Sequence, residues 1–218
     1  MITKKYLIVV CLGLFGFVPG LLGQHVEDFN LPISLRENKL EMTSGEDQIE
    51  KVDSLTRHSI TIKGIVWLKD EIFDTGTVDI DLRGRNVFLQ SFMGIAFHAK
   101  DTNSYDVVYF CPFRFHDSSE ETRRYSVKYM SVPDYSYTKL RKEHPRVYEN
   151  EVQPAPASDA WFHVKITVES QWVSVFINHS SVASLRVRKL PTLQTGKIGL
   201  WSYSQTLSSD FANLKITR

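Results

Sequence analysis

The sequence is poor in cysteine, with two residues among 218, Cys11 and Cys111. Cys11 lies in an N-terminal apolar segment that we expect to be removed, so Cys111 would remain without a partner for a disulfide. A chain of this kind depends on a hydrophobic core for stability. A lone cysteine among aromatic residues is typical of a small buried hydrophobe, and the sequence places no base beside Cys111 to activate it.

The sequence also lacks the motifs that mark metal, phosphate and nucleophile sites. A glycine-rich phosphate loop and a G-x-S-x-G sequence are both missing. The histidines show no paired ligand spacing, and a single histidine on a strand usually makes a structural hydrogen bond. The sequence therefore predicts no metal site and no cofactor, and it leaves open a calcium ion at a loop.

Charge of one sign is not in excess, because the formal net charge is +1. Loss of Lys4 and Lys5 with the N-terminal segment leaves 24 Lys and Arg against 25 Asp and Glu. This balance argues against a nucleic-acid partner, which would favour a basic face. It also gives no reason to expect electrostatic attachment to a membrane surface.

Residues 1–23 have the pattern of a secretory signal peptide. Lys4 and Lys5 precede an apolar run from Tyr6 to Val18, and small residues stand before a plausible cleavage site at Gln24. The run is shorter than the roughly 20 residues of a membrane span, although an uncleaved anchor is the alternative. We therefore expect a periplasmic or secreted protein whose residues 24–218 form one domain, with no membrane contact beyond export.

Apolar and polar residues alternate with period two through most of residues 24–218, which predicts β-strands. Turn residues separate ten or eleven such segments, and this pattern favours a β-sandwich. The last five segments are predicted to form an antiparallel meander. The segments are HSITIKGIVWLK, GTVDIDLRGR, SFMGIAFHA, YDVVYFCPF, RYSVKYMSV, WFHVKITVES, WVSVFIN, SVASLRVRKL, GKIGLWSYSQ and DFANLKITR, with NLPISLRENKLEM as a further candidate.

Residues 135–157 depart from this alternation. Their charged first part could form a short helix that Pro145 would interrupt, and a segment rich in Pro and Ala follows. We interpret 135–157 as a long, partly helical excursion that lies across the sandwich, since long ordered loops in compact domains are often functional.

Two aspartates in GTVDIDLRGR are the best candidates for acid/base chemistry. Asp79, Asp81 and Arg83 would project together from one strand face, opposite the apolar residues. Carboxylates two residues apart on a strand are about 7 Å apart. Such a pair can act on a glycosidic bond if its two pKa values differ. The alternative is a solvated outer face with Arg83 as a counter-charge.

A groove is predicted above the neighbouring strands. In YDVVYFCPFRF, Val108 and Phe110 would face the core, while Tyr109 and Arg114 would lie nearer the groove. The strand SFMGIAFHA has a face of small residues, Gly94 and Ala96 with His98, that would leave room for a sugar ring beside tyrosines such as Tyr129. The alternative is a groove filled by residues 135–157.

Several segments, taken in order, resemble a known family. They are SFMGIAFHAKDTNSYDVVYFCPFRF, RRYSVKYMSVPDYSYTKLRKEHPRVYE, DAWFHVKITVESQWVSVFIN, GKIGLWSYSQ and DFANLKI, within residues 60 to 217. They resemble exported bacterial proteins with a concanavalin A-like (laminin G-like) jelly-roll domain and are similar to the 3-keto-disaccharide hydrolase family, also described as domain of unknown function 1080. The resemblance implies a two-sheet jelly roll with a concave, carbohydrate-facing surface. Cys111 replaces an arginine of that family's Tyr-Phe-Arg-Pro-Phe segment, so no mechanism is carried over.

The sequence thus predicts an all-β, concanavalin A-like two-sheet jelly roll that binds a glycan in its concave groove or acts on it like a glycoside hydrolase. If it is an enzyme, Asp79 and Asp81 are the predicted catalytic pair. The predicted substrate-binding residues on the same concave face are Arg83, His98, Tyr109, Arg114 and Tyr129. The alternatives are a non-catalytic module that binds a glycan or a protein and a structural domain of the cell envelope; the sugar, its linkage and the oligomeric state are not predicted.

Overall fold

The computed structural model describes residues 24–204 and 206–218. The predicted signal peptide, residues 1–23, lies outside this part of the chain. None of the helices in the described residues is long and apolar enough to cross a membrane.

The described residues form fourteen β-strands, three short α-helices and one 3₁₀ helix at Pro112–Arg114. The α-helices are α1 (Leu31–Arg36), α2 (Glu120–Arg123) and α3 (Tyr137–Glu143). The strands are β1 (Val26–Phe29), β2 (Leu40–Glu41), β3 (Gln48–Asp53), β4 (Ser59–Phe73), β5 (Gly76–Arg83), β6 (Phe92–Asp101), β7 (Ser104–Phe110), β8 (Val127–Val132), β9 (Glu149–Asn150), β10 (Phe162–Val168), β11 (Trp172–Ile177), β12 (Leu185–Arg188), β13 (Gly196–Tyr203) and β14 (Ser209–Thr217).

Two antiparallel sheets share the long strand β4. The order in sheet 1 is β12-β11-β10-β5-β14-β4, and the order in sheet 2 is β4-β13-β6-β7-β8-β9. The first residues of β4 pair with β3 and β14, whereas the residues from Gly64 onward pair with β13 and β2. Gly64 has a φ of 81°, and a Cβ there would overlap the Asp47 carboxylate, so the strand passes between the sheets where only glycine fits.

The hydrophobic core lies between the two sheets. Val78, Ile80 and Leu82 of β5 are buried on its sheet 1 side. On the sheet 2 side, Phe110 of β7 meets Phe162 of β10 edge-to-face, with ring centroids 5.5 Å apart. This two-layer, all-β arrangement confirms the predicted jelly-roll fold and the inward direction of Phe110.

The structure differs from the predicted strand pattern in two details. The segment NLPISLRENKLEM forms α1 followed by the short β2, because the Asn30 side chain accepts a hydrogen bond from the Ile33 N–H and Pro32 stands in the first turn. The C-terminal meander includes only β10, β11 and β12. Strand β13 instead lies between β4 and β6, and β14 lies between β4 and β5.

Candidate functional site

A groove runs over the outer face of sheet 2. Because Phe110 points into the core, the preceding residue Tyr109 points outward. In the sheet, Tyr109 of β7 pairs with Gly94 of β6, and Gly94 pairs with Trp201 of β13. A Cβ on Gly94 would overlap the Val108 carbonyl oxygen. The glycine therefore lets the backbones of β6 and β7 lie close together here, and the Tyr109 and Trp201 rings are 5.3 Å apart between centroids.

The groove has a volume of about 440 Å³ and is lined mainly by aromatic side chains. These are Phe92, Tyr105, Tyr109, Phe113, Tyr137, Trp201 and Tyr203. The Trp201 and Tyr203 rings are stacked, with centroids 5.8 Å apart and planes at 14°. Tyr203 is 66% exposed, so it presents ring surface at the edge of the groove.

Three cationic side chains also line the groove: Arg114, Lys128 and Arg141. Lys128 of β8 lies opposite Tyr109 in the sheet and is only 8% exposed. Burial lowers the pKa of Lys128 from its ordinary value. Arg141 of α3 forms a two-pronged ion pair with Glu149, with nitrogen to oxygen distances of 2.7 and 3.1 Å.

The excursion at residues 135–157 contributes to this groove through α3. Leu140 is buried and anchors the helix, while Tyr137 and Arg141 on the same helix line the groove. The excursion is thus partly helical as predicted, and it forms one wall of an open groove. The alternative of a groove filled by this segment is wrong.

Asp79 and Asp81 lie on the outer face of sheet 1, away from that groove. Their neighbour across the sheet is His163 of β10, whose Nδ1 is 3.0 Å from Asp81 Oδ1 and whose Nε2 is 3.3 Å from Asp79 Oδ1. Asn213 donates a hydrogen bond of 2.7 Å to Asp81, and His179 stacks on His163 at 4.2 Å. A hollow of about 500 Å³ opens beside this cluster.

The hydrogen bonds of this cluster shift the pKa values of His163 and Asp81. The hydrogen bond to Asp81 raises the pKa of His163 in spite of partial burial, and the bond to Asp79 adds to the effect. Burial raises the pKa of Asp81, but the hydrogen bonds from His163 and Asn213 outweigh it, so the net shift is downward. A lowered pKa suits a carboxylate that acts as base or nucleophile and is unsuited to a general acid.

Arg83 lies near the same end of β5 but is engaged by another carboxylate. Its Nε is 2.7 Å from Asp210 Oδ2, and Arg85 Nη1 reaches the same oxygen at 2.9 Å. Its guanidinium also stacks over Trp161 at 5.1 Å. Because Asp210 is nearly buried, Arg83 serves here as a partner that neutralises it.

His98 and Tyr129 lie inside the sandwich. A β-bulge interrupts the β6–β7 register after Phe97, and His98 adopts a φ of 54° that turns its ring into the core. The His98 ring is fully buried, with Nδ1 2.8 Å from Asp106 Oδ2. Tyr129 is 1% exposed and stacks on Phe97.

The prediction that the seven site residues share one concave face is therefore wrong. Of that set, Tyr109 and Arg114 line the groove on sheet 2, and the other five divide between the core and the outer face of sheet 1, because β5 belongs to the other layer. The sequence reasoning missed Trp201 and Tyr203, although they alternate with period two in GKIGLWSYSQ, and it missed Lys128, which stands beside Tyr129 in the chain.

The described residues contain no group of three or more His, Cys, Asp or Glu side chains placed to hold a metal ion. Cys111 is buried, and burial raises its pKa to about 11.

No protein-family model matches the chain, and no curated protein sequence matches it. Solved structures do. A Bacillus subtilis protein of unknown function with a galectin-like fold is 13% identical, with a TM-score of 0.51 over 88% of each chain. A Parabacteroides distasonis protein assigned provisionally as a glycosyl hydrolase is 13% identical, with a TM-score of 0.51 over 82% of this chain and 93% of its own. A protein described as a native glycosidic hydrolase is 9% identical, with a TM-score of 0.52 over 92% and 98%. At these identities the likeness shows a shared jelly-roll fold.

Proposed function

We propose that the protein binds carbohydrate in the groove on the outer face of sheet 2. The observation that carries the proposal is the exposed ring of Tyr203, which stacks on the buried Trp201 and borders a groove that is also lined by cationic groups. Aromatic faces pack against the C–H faces of sugar rings, and charged groups bond the hydroxyls. A volume of about 440 Å³ lies within the range of small-molecule sites.

The solved structures with a similar fold support this proposal, since two of the three carry glycoside-hydrolase descriptions. The signal-peptide pattern of residues 1–23 agrees with this proposal as well, because an exported protein can encounter polysaccharides outside the cytoplasm. We propose accordingly that the protein acts in the periplasm or is secreted.

Binding without hydrolysis is the form of the proposal that the groove favours. Glycoside hydrolysis generally needs two carboxyl groups beside the scissile bond. None of the described residues that line the groove is Asp or Glu. A hydrolytic role is the second candidate and rests on Asp79, which lines the hollow of sheet 1, and on its neighbour Asp81. Product release unchanged in both Asp79→Asn and Asp81→Asn would rule it out.

Calorimetric titration with a panel of mono- and oligosaccharides tests the binding proposal. Tyr203→Ala is the informative variant, because an exposed ring can be removed without disturbing the core. We expect it to weaken binding at least about tenfold, which is about 1.4 kcal/mol. Trp172→Ala is the matched control, since Trp172 is a half-buried aromatic on β11 of sheet 1. Equal affinities of Tyr203→Ala and the wild type, or no binding by any sugar of the panel, would refute the proposed site.

A further inference from the structure

The lysine in the floor of the groove is the feature that the proposed function leaves unexplained. Lys128 is 8% exposed, and its ammonium faces the rings of Tyr109, Tyr125 and Tyr137 at 5.4 to 5.8 Å. Among the residues that the structure describes, it forms no hydrogen bond and no ion pair. An ammonium has three N–H donors, and tyrosine ring faces supply no strong acceptor. Lys128 Nζ is not one of the fully buried, unpartnered side-chain atoms of the described residues, so its N–H donors are open to a ligand that enters the groove.

Lys128 and the two arginines near it outnumber the carboxylates that pair with them. The guanidinium of Arg114 lies over the rings of Phe88 and Phe113 at 5.4 and 5.3 Å, and within the described chain it has no carboxylate partner. Arg141 is paired with Glu149, and this pair uses both carboxylate oxygens. Three cations thus share one carboxylate, and the low-dielectric aromatic walls extend the remaining positive field into the groove.

We propose that the groove selects an anionic saccharide, one whose sugar ring carries a carboxylate or sulfate group, with that group bound by Lys128 and Arg114. This inference rests on the proposed function and names the ligand class for the same groove. The sugar ring would pack on the aromatic wall while its anion accepts the hydrogen bonds that the Lys128 ammonium has free. Ion pairs of this kind, formed out of water, are stronger than surface pairs.

The inference is tested by comparing matched ligands on the wild-type protein. A galacturonate trimer, the corresponding galactose trimer and a sulfated galactose trimer are titrated at about pH 7 and at low ionic strength, where screening of charge interactions is weak. We expect at least one anionic trimer to bind at least about tenfold more tightly than the neutral one, with a preference that shrinks as salt is added. The carboxylated and sulfated arms tell which anion the groove takes.

Lys128→Met keeps the length of the side chain and removes its charge. We expect this variant to lose at least about tenfold in affinity for the preferred anionic trimer and to retain its affinity for the neutral trimer within about threefold. Lys165→Met, at an exposed lysine on β10 of sheet 1, is the matched control and should leave both affinities unchanged. Arg114→Met is a second variant, which decides the matter if Lys128→Met does not fold.

These measurements distinguish a failure of the anionic preference from a failure of the proposed carbohydrate site. If neutral and anionic trimers bind equally and Tyr203→Ala still weakens both, the anionic preference is wrong and the carbohydrate site stands. If inorganic sulfate binds as tightly as the sulfated trimer, the cations form a simple ion site and the saccharide inference is overturned. If no saccharide binds at all, the proposed function fails together with this inference.

Discussion

Replacement of His98 by leucine is expected to destabilise the protein strongly, because it removes the hydrogen-bond partner of a carboxyl group buried in the core. Both His98 and Asp106 are fully buried, and His98 Nδ1 lies 2.8 Å from Asp106 Oδ2. His98 Nε2 is 2.7 Å from the Asp74 carbonyl oxygen, which can only accept, so this nitrogen must carry a proton. A second proton lies between His98 and Asp106.

The His98→Leu substitution would leave the buried Asp106 carboxyl group with few hydrogen-bond partners. In the described chain the other Asp106 oxygen, Oδ1, has no hydrogen-bond partner. Without His98, Asp106 would keep only the Tyr129 hydroxyl, at 3.3 Å. Removal of one partner of a buried pair costs about 3–5 kcal/mol, against a total stability of about 5–15 kcal/mol for a typical domain. In a domain of this size that corresponds to a fall in Tm of roughly 6–20 °C.

Equilibrium unfolding in guanidinium chloride, with thermal unfolding beside it, measures the effect. His163→Leu is the matched control, because His163 also contacts two aspartates but lies partly exposed at the surface, and we expect a loss of about 0–1 kcal/mol there. The double variant His98→Leu/Asp106→Leu should recover part of the stability that His98→Leu loses, since the buried carboxyl group left without its partner is removed as well. Similar losses for His98→Leu and His163→Leu would refute the reasoning, and so would a double variant less stable than the single one.

Three further predictions follow from other features of the structure. The hydrogen bonds to Asp81 and Asp79 raise the pKa of His163 above 6.5, so this histidine contributes stability that is complete below about pH 6.5 and is lost as the pH rises through the folded-state pKa. We therefore expect Tm to fall with rising pH more steeply in the wild type than in His163→Gln. Superimposable profiles of Tm against pH would contradict this. Cys111, buried with its pKa raised to about 11, should react with a thiol reagent at least about 100-fold more slowly in the native than in the unfolded protein, and rapid native labelling would argue against its burial. Gly64→Ala should lower the free energy of unfolding by about 1–3 kcal/mol, because of the positive φ and the overlap of the new Cβ with Asp47. Gly45→Ala, with nothing within 4 Å of the new Cβ, should leave that free energy nearly unchanged. Equal effects of the two substitutions would show that a glycine is not required at position 64.

The alternation of apolar and polar residues was enough to predict most strands. It was not enough to predict which strands lie next to one another in the sheets. The period-two pattern gave the inward direction of Val108 and Phe110 correctly, since a strand's two faces follow from its own residues. The position of β13 between β4 and β6 depends on pairing between distant segments, which the pattern does not contain. The bulge at His98 cannot be predicted from the pattern either, because one extra residue between Ala96 and Ala99, in the pairing with β13, reverses the faces that follow it.

The same limit explains the division of the predicted site. Alternation predicted correctly that Asp79 and Asp81 point away from the core, but a two-layer sandwich has two outer faces that look in opposite directions. Which of the two a strand contributes to depends on its sheet. Strand β5 lies in sheet 1 and β7 in sheet 2, so Asp79 and Tyr109 are on opposite sides of the core.

The two outer faces differ in how their charges are balanced, and this difference favours sheet 2 as the binding face. On sheet 1, His163 lies within hydrogen-bond distance of both Asp79 and Asp81, and Arg57 is 3.6 Å from Asp81, so these carboxyl groups already have partners within the protein. A ligand would have to displace those hydrogen bonds before making its own. On sheet 2, Lys128 and Arg114 are packed among aromatic rings, and in the described part of the chain neither has a carboxylate partner. A ligand that brings an anion to them displaces no carboxylate partner, so the protein's own ion pairs need not rearrange on binding.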